Sequence, residues 1–301
     1  MKAFVTGGAG FIGSHLVEAL VKEGHEVTVF DNLRSGKESN LSTVRGKITF
    51  IKGDITKPLD LEAIHGHDVC FHLAAIPSVP YSIEHPIEVH DVNATGTLNV
   101  LEACRKHHIK KVVYSSTAAV YGDEPTLPKT ETSVIKALSP YAASKLAGEY
   151  YIHLYASLYN LPTVALRYFN VYGPRQDPTS PYSGVITKFV TLLRQGKQPT
   201  LFANGTNTRD FVYVGDIVQA NIKAVNAPSG TYNAATGTQI TIKELFDEIQ
   251  QILKTRVTPI NAPPLAGDIP HSKANITKIK TIGYASTTNL SQGLALTVQN
   301  L

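Results

Sequence analysis

The sequence predicts an α/β protein, a doubly wound parallel sheet carrying a smaller mixed α/β lobe. Three observations carry that expectation. Short apolar runs alternate with helical stretches through the first half of the chain, the rhythm of a parallel sheet with crossover helices. A glycine-rich turn stands between the first run and the first helix. Beyond Val171 the rhythm gives way to a region punctuated by Gly and Pro, which marks a second lobe. The 301 residues, 43% hydrophobic and 17% charged, can bury a full core in one large unit or two small lobes.

Taken in order, Ala3-Phe4-Val5 makes the first strand, and a helix follows near Ser14 to Glu23. Glu26 to Phe30 and Ile48 to Ile51 supply the next two strands, and Asp68 to Leu73 the fourth. A helix from about Ala94 to Lys106, a strand at Lys111 to Ser115, a helix from about Tyr141 to Leu158 and a strand at Thr163 to Arg167 complete the alternation. In the second region, helices near Val185 to Gln195 and Ile242 to Leu253 belong to a lobe over the carboxyl edge of the sheet. Phe211 to Asp216 and Thr231 to Ala235 are runs that can return to the first lobe. There is no internal repeat and no low-complexity segment.

Composition excludes several functional classes. With only two cysteines, Cys70 in an apolar run and Cys104 in a helical pattern, core packing in a reducing, cytoplasmic compartment is expected rather than a disulfide scaffold. Met1 to Val5 run straight into the glycine turn and do not read as a signal peptide. No apolar stretch approaches membrane-spanning length. The net charge of +4 comes from scattered Lys and Arg, Lys110-Lys111 being the nearest thing to a cluster. Such a balance gives no support for nucleic-acid binding and suits ligands bearing phosphate. His65-Gly66-His67 and His107-His108 lack further ligands at zinc-like spacing, so no metal is expected. His15 and His72, near the glycine turn, read as satisfied boundary residues.

The first chemical motif is Thr6-Gly7-Gly8-Ala9-Gly10-Phe11-Ile12-Gly13, with Gly7, Gly10 and Gly13 spaced G-x-x-G-x-x-G between strand and helix. Such a turn lets a pyrophosphate approach the main chain closely, facing a helix amino terminus. Asp31 ends the second strand at about the offset expected of a ribose-binding acid. Together these specify a Rossmann-type dinucleotide site. The Asp31 carboxylate would accept ribose hydroxyls and repel a 2′-phosphate, so the expected cofactor is NAD rather than NADP. Arg34 reads as a solvated loop charge. Asp54-Ile55 and Leu73-Ala74-Ala75 fall at strand ends where adenine and ribose would pass, or are ordinary strand termini.

The second motif, Tyr141-Ala142-Ala143-Ser144-Lys145, places a phenol and an ammonium four residues apart on one helical face. Tyr114-Ser115-Ser116-Thr117 ends the preceding strand and aims hydroxyls toward the same crevice. A free tyrosine titrates near pH 10, so action as a base near pH 7 needs about 4 kcal/mol of preference for the phenolate. A unit positive charge about 4 Å away supplies that much at an effective dielectric near 20. Lys145 and a positive nicotinamide ring both qualify, and Thr117 can relay a proton between sugar and Tyr141.

These motifs, with Arg167-Tyr168-Phe169-Asn170-Val171-Tyr172-Gly173-Pro174-Arg175 and Arg209-Asp210-Phe211-Val212-Tyr213-Val214, resemble the extended short-chain dehydrogenase/reductase family over nearly the whole chain. Within it the chain is most similar to the nucleotide-sugar 4-epimerases. The resemblance implies that Tyr141 is the base, that Lys145 holds the nicotinamide ribose, and that Ser116 and Thr117 complete the catalytic set. It adds Phe11, Ile12, Asn32, Asn93, Ser115, Tyr168 and Phe169 to the cofactor contacts. On the substrate side it implies Thr117, Asn170, Val185, Asp268 and Ser272, with Arg209 on the diphosphate, where a forked guanidinium suits. Residues 1–170, with returns near 211–236, would form the NAD-binding domain, and residues 171–301 mainly the nucleotide-sugar lobe. The helices from Ala94 and Tyr141 would pair in a homodimer, burial within one subunit being the alternative.

The related dehydratases and decarboxylases carry an acid just after the threonine, where this chain has Ala118 and Ala119. Methyl groups transfer no protons, which leaves the 4-epimerase cycle on a UDP-hexose or UDP-N-acetylhexosamine, through a transient 4-keto sugar. A nucleotide-sugar reductase or dehydrogenase with net redox is the alternative. A non-catalytic NAD-sensing protein would not need the Tyr141-Lys145 pair. Leu265-Ala266 stand before Gly267-Asp268 where similar epimerases place an arginine on the diphosphate. Ser272 falls where some glucose-specific relatives carry a bulky tyrosine, which leaves room for an N-acetyl group. The runs Pro174 to Pro178 and Tyr182 to Ile186 resemble the N-acetylhexosamine-accepting branch.

Overall fold

The structure is a computed structural model that describes residues 1–177, 184–264 and 268–300. The Leu265-Ala266-Gly267 stretch and residues 178–183 therefore lie outside the described residues. The first half of the chain runs β1 (Lys2–Thr6), α1 (Phe11–Lys22), β2 (Glu26–Asp31), β3 (Ile48–Lys52), β4 (Val69–His72), α2 (Val79–Glu84), α3 (Pro86–His90), α4 (Gly96–Lys106), β5 (Lys111–Thr117), α5 (Pro140–Tyr159) and β6 (Thr163–Tyr168). The second half runs β7 (Asn170–Tyr172), α6 (Val185–Arg194), β8 (Thr200–Phe202), β9 (Thr208–Arg209), β10 (Phe211–Tyr213), α7 (Val214–Ala224), β11 (Gly230–Ala234), β12 (Ile240–Thr241), α8 (Ile242–Leu253), β13 (Ile260–Ala262), α9 (Thr277–Lys280) and α10 (Leu290–Gln299).

Seven strands form one sheet in the order β11-β6-β5-β4-β1-β2-β3, and every pairing in it is parallel. The strands are apolar runs because both faces are covered. One face packs α1 and α7 through Leu16, Val17, Leu20, Ile217 and Ala220; the other packs α4 and α5 through Val100, Leu101, Cys104 and Ile152. Both cysteines are free and buried in this packing. The strand order reverses between β1 and β4, and a doubly wound sheet opens its binding crevice at the carboxyl ends of the strands at such a point.

The second lobe has its own core, built by Phe189, Leu193, Leu245, Phe246, Ile249 and Leu294 from α6, α8 and α10. Three two-stranded pieces accompany it, β7 with β10, β9 with β12 and β8 with β13. The expected returns behave differently from each other. Thr231 to Ala235 supplies β11 beside β6, whereas Phe211 to Tyr213 pairs with β7 outside the large sheet, and only the following α7 packs back onto it. The sequence pattern also missed α2, α3 and the π-helical turn Asp91–Thr95 that leads into α4. Pro80 and Pro86 break that stretch into one-turn pieces, too short to show a helical period. No helix among the described residues is long and apolar enough to cross a membrane.

Candidate functional site

The glycine turn closes tightly on itself. The Gly7 N–H donates to Phe30 O at 2.9 Å, and Gly10 N–H to Gly7 O at 3.1 Å. A Cβ on Gly13 would stand 2.1 Å from the Gly7 carbonyl oxygen, and one on Gly7, where φ is +70°, 2.6 Å from the Ala74 nitrogen. Glycine at 7 and 13 is therefore a packing requirement that seats α1 against the ends of β1 and β4. Gly10 caps α1 with no side-chain hydrogen bond, so its first turn presents amides toward the crevice.

Asp31 lies at the far side of that crevice. Its Oδ2 accepts the Ala9 N–H at 3.0 Å and its Oδ1 the Leu33 N–H at 2.8 Å. Burial raises this carboxyl above its ordinary value, and the two amides pull it back. Asn32 reaches Asp54 at 3.2 Å, and Asp54 also accepts from Thr56. Asp54 faces an adjoining cavity, while Asn32, Ile55, Leu73, Ala74 and Ala75 line the glycine crevice itself.

Asn93 is 1% exposed and lines neither of the clefts described below. Its amide accepts the Ile76 N–H at 2.8 Å and donates to Ile76 O and to Ser144, so it clamps the wall beside the clefts. The π-helical turn carrying Asn93 aims it at that loop, a geometry the sequence pattern does not reveal. Arg34 is an exposed loop charge, as expected. It is ion-paired with Glu88 and donates to the Tyr81 hydroxyl at 2.9 Å, holding the Glu88 carboxyl down to about 2. His72 is buried and joined to Thr6 and Thr97, and burial holds its imidazole at about 3, neutral.

The reactive side chains come from β5 and α5. Ser139 caps α5, its hydroxyl accepting the Ala142 N–H at 3.1 Å, with Pro140 in the first turn. That start fixes Tyr141 and Lys145 at the sheet edge, where Tyr141 and Thr117 line the same cleft. Thr117 also caps the short turn Ala118–Tyr121 by accepting the Ala119 N–H at 3.1 Å. Burial raises the Tyr141 phenol above its ordinary value, and the nearby Thr117 hydroxyl offsets only part of that. The expectation that Lys145 would lower it is thus not met by the protein's own residues, because burial dominates both groups. Lys145 itself is 2% exposed, and desolvation holds its ammonium down to about 7. Its Nζ rests 4.3 Å above the Tyr114 ring, and among the described residues it meets no hydrogen-bond acceptor. Ser116 lines the crevice but donates its hydroxyl hydrogen to Glu149.

These groups converge on two connected clefts. The first, about 240 Å³, contains the glycine turn, Asp31, Ser115, Tyr141, Lys145 and Tyr168. The second, about 720 Å³, shares Phe11, Ile12, Ser116, Tyr141 and Tyr168 and adds Thr117, Phe169 and Val171. Lys37, Tyr81, Arg175, Gln176 and Asn300 also line it, and except for Arg175 and Gln176, which belong to the Pro174 to Pro178 run, the sequence offered no signal for them. Arg175 reaches back to α1, pairing with Glu18 at 2.6 Å and Ser14 at 3.1 Å. The remaining substrate candidates sit elsewhere. Arg209 binds Asp268 at 2.7 Å and the Thr208 and Pro270 carbonyls, and the Ser272 N–H donates to Thr208 O at 3.1 Å. Asn170 donates to Asp210 O at 3.2 Å, and Val185 packs in the second-lobe core. None of these five lines either cleft.

The sequence profile of the NAD dependent epimerase/dehydratase family matches residues 3–235. The chain belongs to this family. A putative UDP-glucose 4-epimerase of Methanocaldococcus jannaschii is 41% identical over 294 residues, 96% of this chain and 95% of that protein. Among solved structures, a UDP-N-acetylglucosamine 4-epimerase from Methanobrevibacter ruminantium, in complex with UDP-N-acetylmuramic acid, superposes with TM-score 0.96 at 40% identity, covering 99% of this chain and 97% of that one. A Thermus thermophilus UDP-glucose 4-epimerase in complex with NAD superposes with TM-score 0.91 at 38% identity, covering 100% and 98%. Membership makes the protein an enzyme of the UDP-sugar epimerase kind with NAD as cofactor, and the residues fit that group: a glycine cradle with no room for Cβ atoms, an uncapped helix end, and the Lys145 side chain on the wall of the same cleft.

Proposed function

We propose that the protein is a 4-epimerase of a UDP-hexose or UDP-N-acetylhexosamine. The observation that carries this reading is that Tyr141 and Thr117 line the same cleft, with Ala118 and Ala119 rather than an acidic residue following Thr117 in the chain. An elimination or decarboxylation needs a proton donor there, and the family name alone covers both epimerases and dehydratases.

In this reading residues 1–170, with β11, hold the cofactor and residues 171–301 mainly hold the nucleotide sugar. The glycine turn and α1 amides take the pyrophosphate, Asp31 the adenosine ribose, and Lys145 the nicotinamide ribose, with Phe11, Ile12, Asn32, Ile55, Leu73 to Ala75, Ser115, Tyr168 and Phe169 along the wall. When bound, NAD supplies the reversible oxidation of the sugar at C4. The protein moves the proton: Thr117 contacts the 4-hydroxyl and relays its proton to Tyr141, which returns one after the 4-keto sugar has turned over. Because burial raises the phenol, the counter-charge that favours its ionised form must come with the ligands. Arg209, oriented by Asp268, takes the diphosphate in the second lobe, near Asn170 and Val185, and Ser272 leaves room for an N-acetyl group.

An exposed apolar stripe on α5, Tyr150, Leu154 and Leu158, continues into Ile83 and Ile87 and supports a homodimer. Two free buried cysteines suit a cytoplasmic setting. Incubation with UDP-glucose and, separately, UDP-N-acetylglucosamine in the presence of NAD, read by NMR, is expected to give the axial C4 epimer without net NADH. Stoichiometric NADH would replace the epimerase with a dehydrogenase.

A further inference from the structure

One cation at the cofactor crevice is already engaged by the protein itself. Arg34 stands three residues beyond Asp31, on the loop that leaves β2. It lines the glycine crevice together with Asp31 and Asn32, and it also lines the second cleft and the adjoining cavity that Asp54 faces. An arginine at that place is a common means by which a dinucleotide site accommodates a 2′-phosphate. Here the guanidinium is turned to the opposite wall. It pairs with Glu88 on α3 through one terminal nitrogen and donates through the other to the Tyr81 hydroxyl of α2 at 2.9 Å. That hydroxyl donates to the second Glu88 oxygen at 2.6 Å, and the guanidinium carbon lies 5.5 Å from the centre of the Tyr81 ring. A lone exposed ion pair is worth little, but a closed ring of three groups holds both terminal nitrogens in one geometry. Lys37, the next cation along the loop, is drawn away to Asp177 at 3.2 Å.

We infer that Glu88 is a positioning residue for the choice of cofactor: by holding Arg34 across the crevice it withholds the cation that a 2′-phosphorylated adenine dinucleotide would use. NADP is then disfavoured twice, by different means. The Asp31 carboxylate repels the extra phosphate, and Glu88 removes the partner that would compensate for the repulsion. The two acids lie on different elements, Asp31 at the end of β2 and Glu88 in α3, and they meet through the one arginine.

The inference rests on the placement of the adenosine ribose at Asp31, and the test separates the two. Holoenzyme carrying labelled NAD is incubated with rising concentrations of unlabelled NAD or NADP, and the label left on the protein after gel filtration gives the concentration of each that displaces half. The readout is the ratio of the NADP concentration to the NAD concentration, which a general loosening of the crevice leaves unchanged. In Glu88→Ala the ratio is expected to fall roughly 10-fold, the worth of a charged hydrogen bond to the freed guanidinium. The Glu88 side chain is 41% exposed, so its truncation leaves the core intact. In Glu88→Ala/Arg34→Ala the ratio should return to the native value, and in Arg34→Ala alone it should stay there. A ratio that stays native in Glu88→Ala overturns the inference and makes the ring a surface tie. A ratio that falls but is not restored in the double variant overturns it as well, because Glu88 would then repel the phosphate directly. Asp31→Asn should also lower the ratio; if it does not, the ribose is not at Asp31, and the inference falls with that placement.

Discussion

The two ends of the proposed site are built in opposite ways. At the glycine turn the polar groups stand open: α1 has no side chain capping its amino terminus, and Lys145 Nζ has no acceptor among the described residues. At β9 the guanidinium of Arg209 is already engaged by Asp268 and two backbone carbonyls. An open site gains a ligand's contacts outright, whereas a paired one exchanges partners and keeps only the difference. The contrast suits an enzyme that retains its cofactor through many cycles and must let go of each product.

The largest effect expected is confined to the chemistry. Tyr141→Phe should lower turnover by roughly 10²- to 10⁴-fold, the range for losing a positioned general base. Cofactor retention should be unchanged, because the open end does not depend on the phenol. The check is steady-state epimerisation together with the amount of NAD that copurifies; a variant that loses both would move Tyr141 from the chemistry to the grip.

Next in size is the paired end. Arg209→Ala should raise the KM for the nucleotide sugar roughly 10- to 100-fold, the worth of about 1.5–3 kcal/mol for a charged hydrogen bond. Turnover at saturation should change far less, and Arg209→Lys should not restore the loss, because an ammonium lacks the planar fork. Unchanged KM in Arg209→Ala would make the Arg209 and Asp268 pair a brace for β9 and place the diphosphate elsewhere.

What the sequence could disclose follows the same division. The large sheet was legible because its strands are apolar runs of four to seven residues separated by helical periods. The glycine spacing and the Tyr141-Lys145 interval are local patterns, and their chemistry is carried by neighbours in the chain. The second lobe is made of strands of two or three residues, below the length at which alternation shows. Contacts such as Asn93 with Ile76, Arg34 with Glu88 and Ser116 with Glu149 join residues far apart in sequence, so no local pattern announces them. The direction of the Tyr141 shift was missed for a related reason. The opposing charge can be read from a motif, but the burial that outweighs it exists only in the packed protein.

The smallest effect tests the open end directly. An ammonium held at about 7 in the folded protein, against about 10.4 in an unfolded chain, means that between those values the unfolded state binds more protons. Stability then rises with pH, by up to about 1.4 kcal/mol per unit from this group. Below pH 7 both states carry the proton, and Lys145 adds no slope. Protein freed of cofactor should therefore be more resistant to urea at pH 9 than at pH 7.5, and Lys145→Met should flatten that difference. Bound NAD should flatten it too, since ribose oxygens that accept from Nζ favour the charged form and pull the folded value back toward that of the free chain. A slope that survives the Lys145→Met substitution would belong to another group, and the ammonium would then not be the desolvated, open donor on which the contrast between the two ends depends.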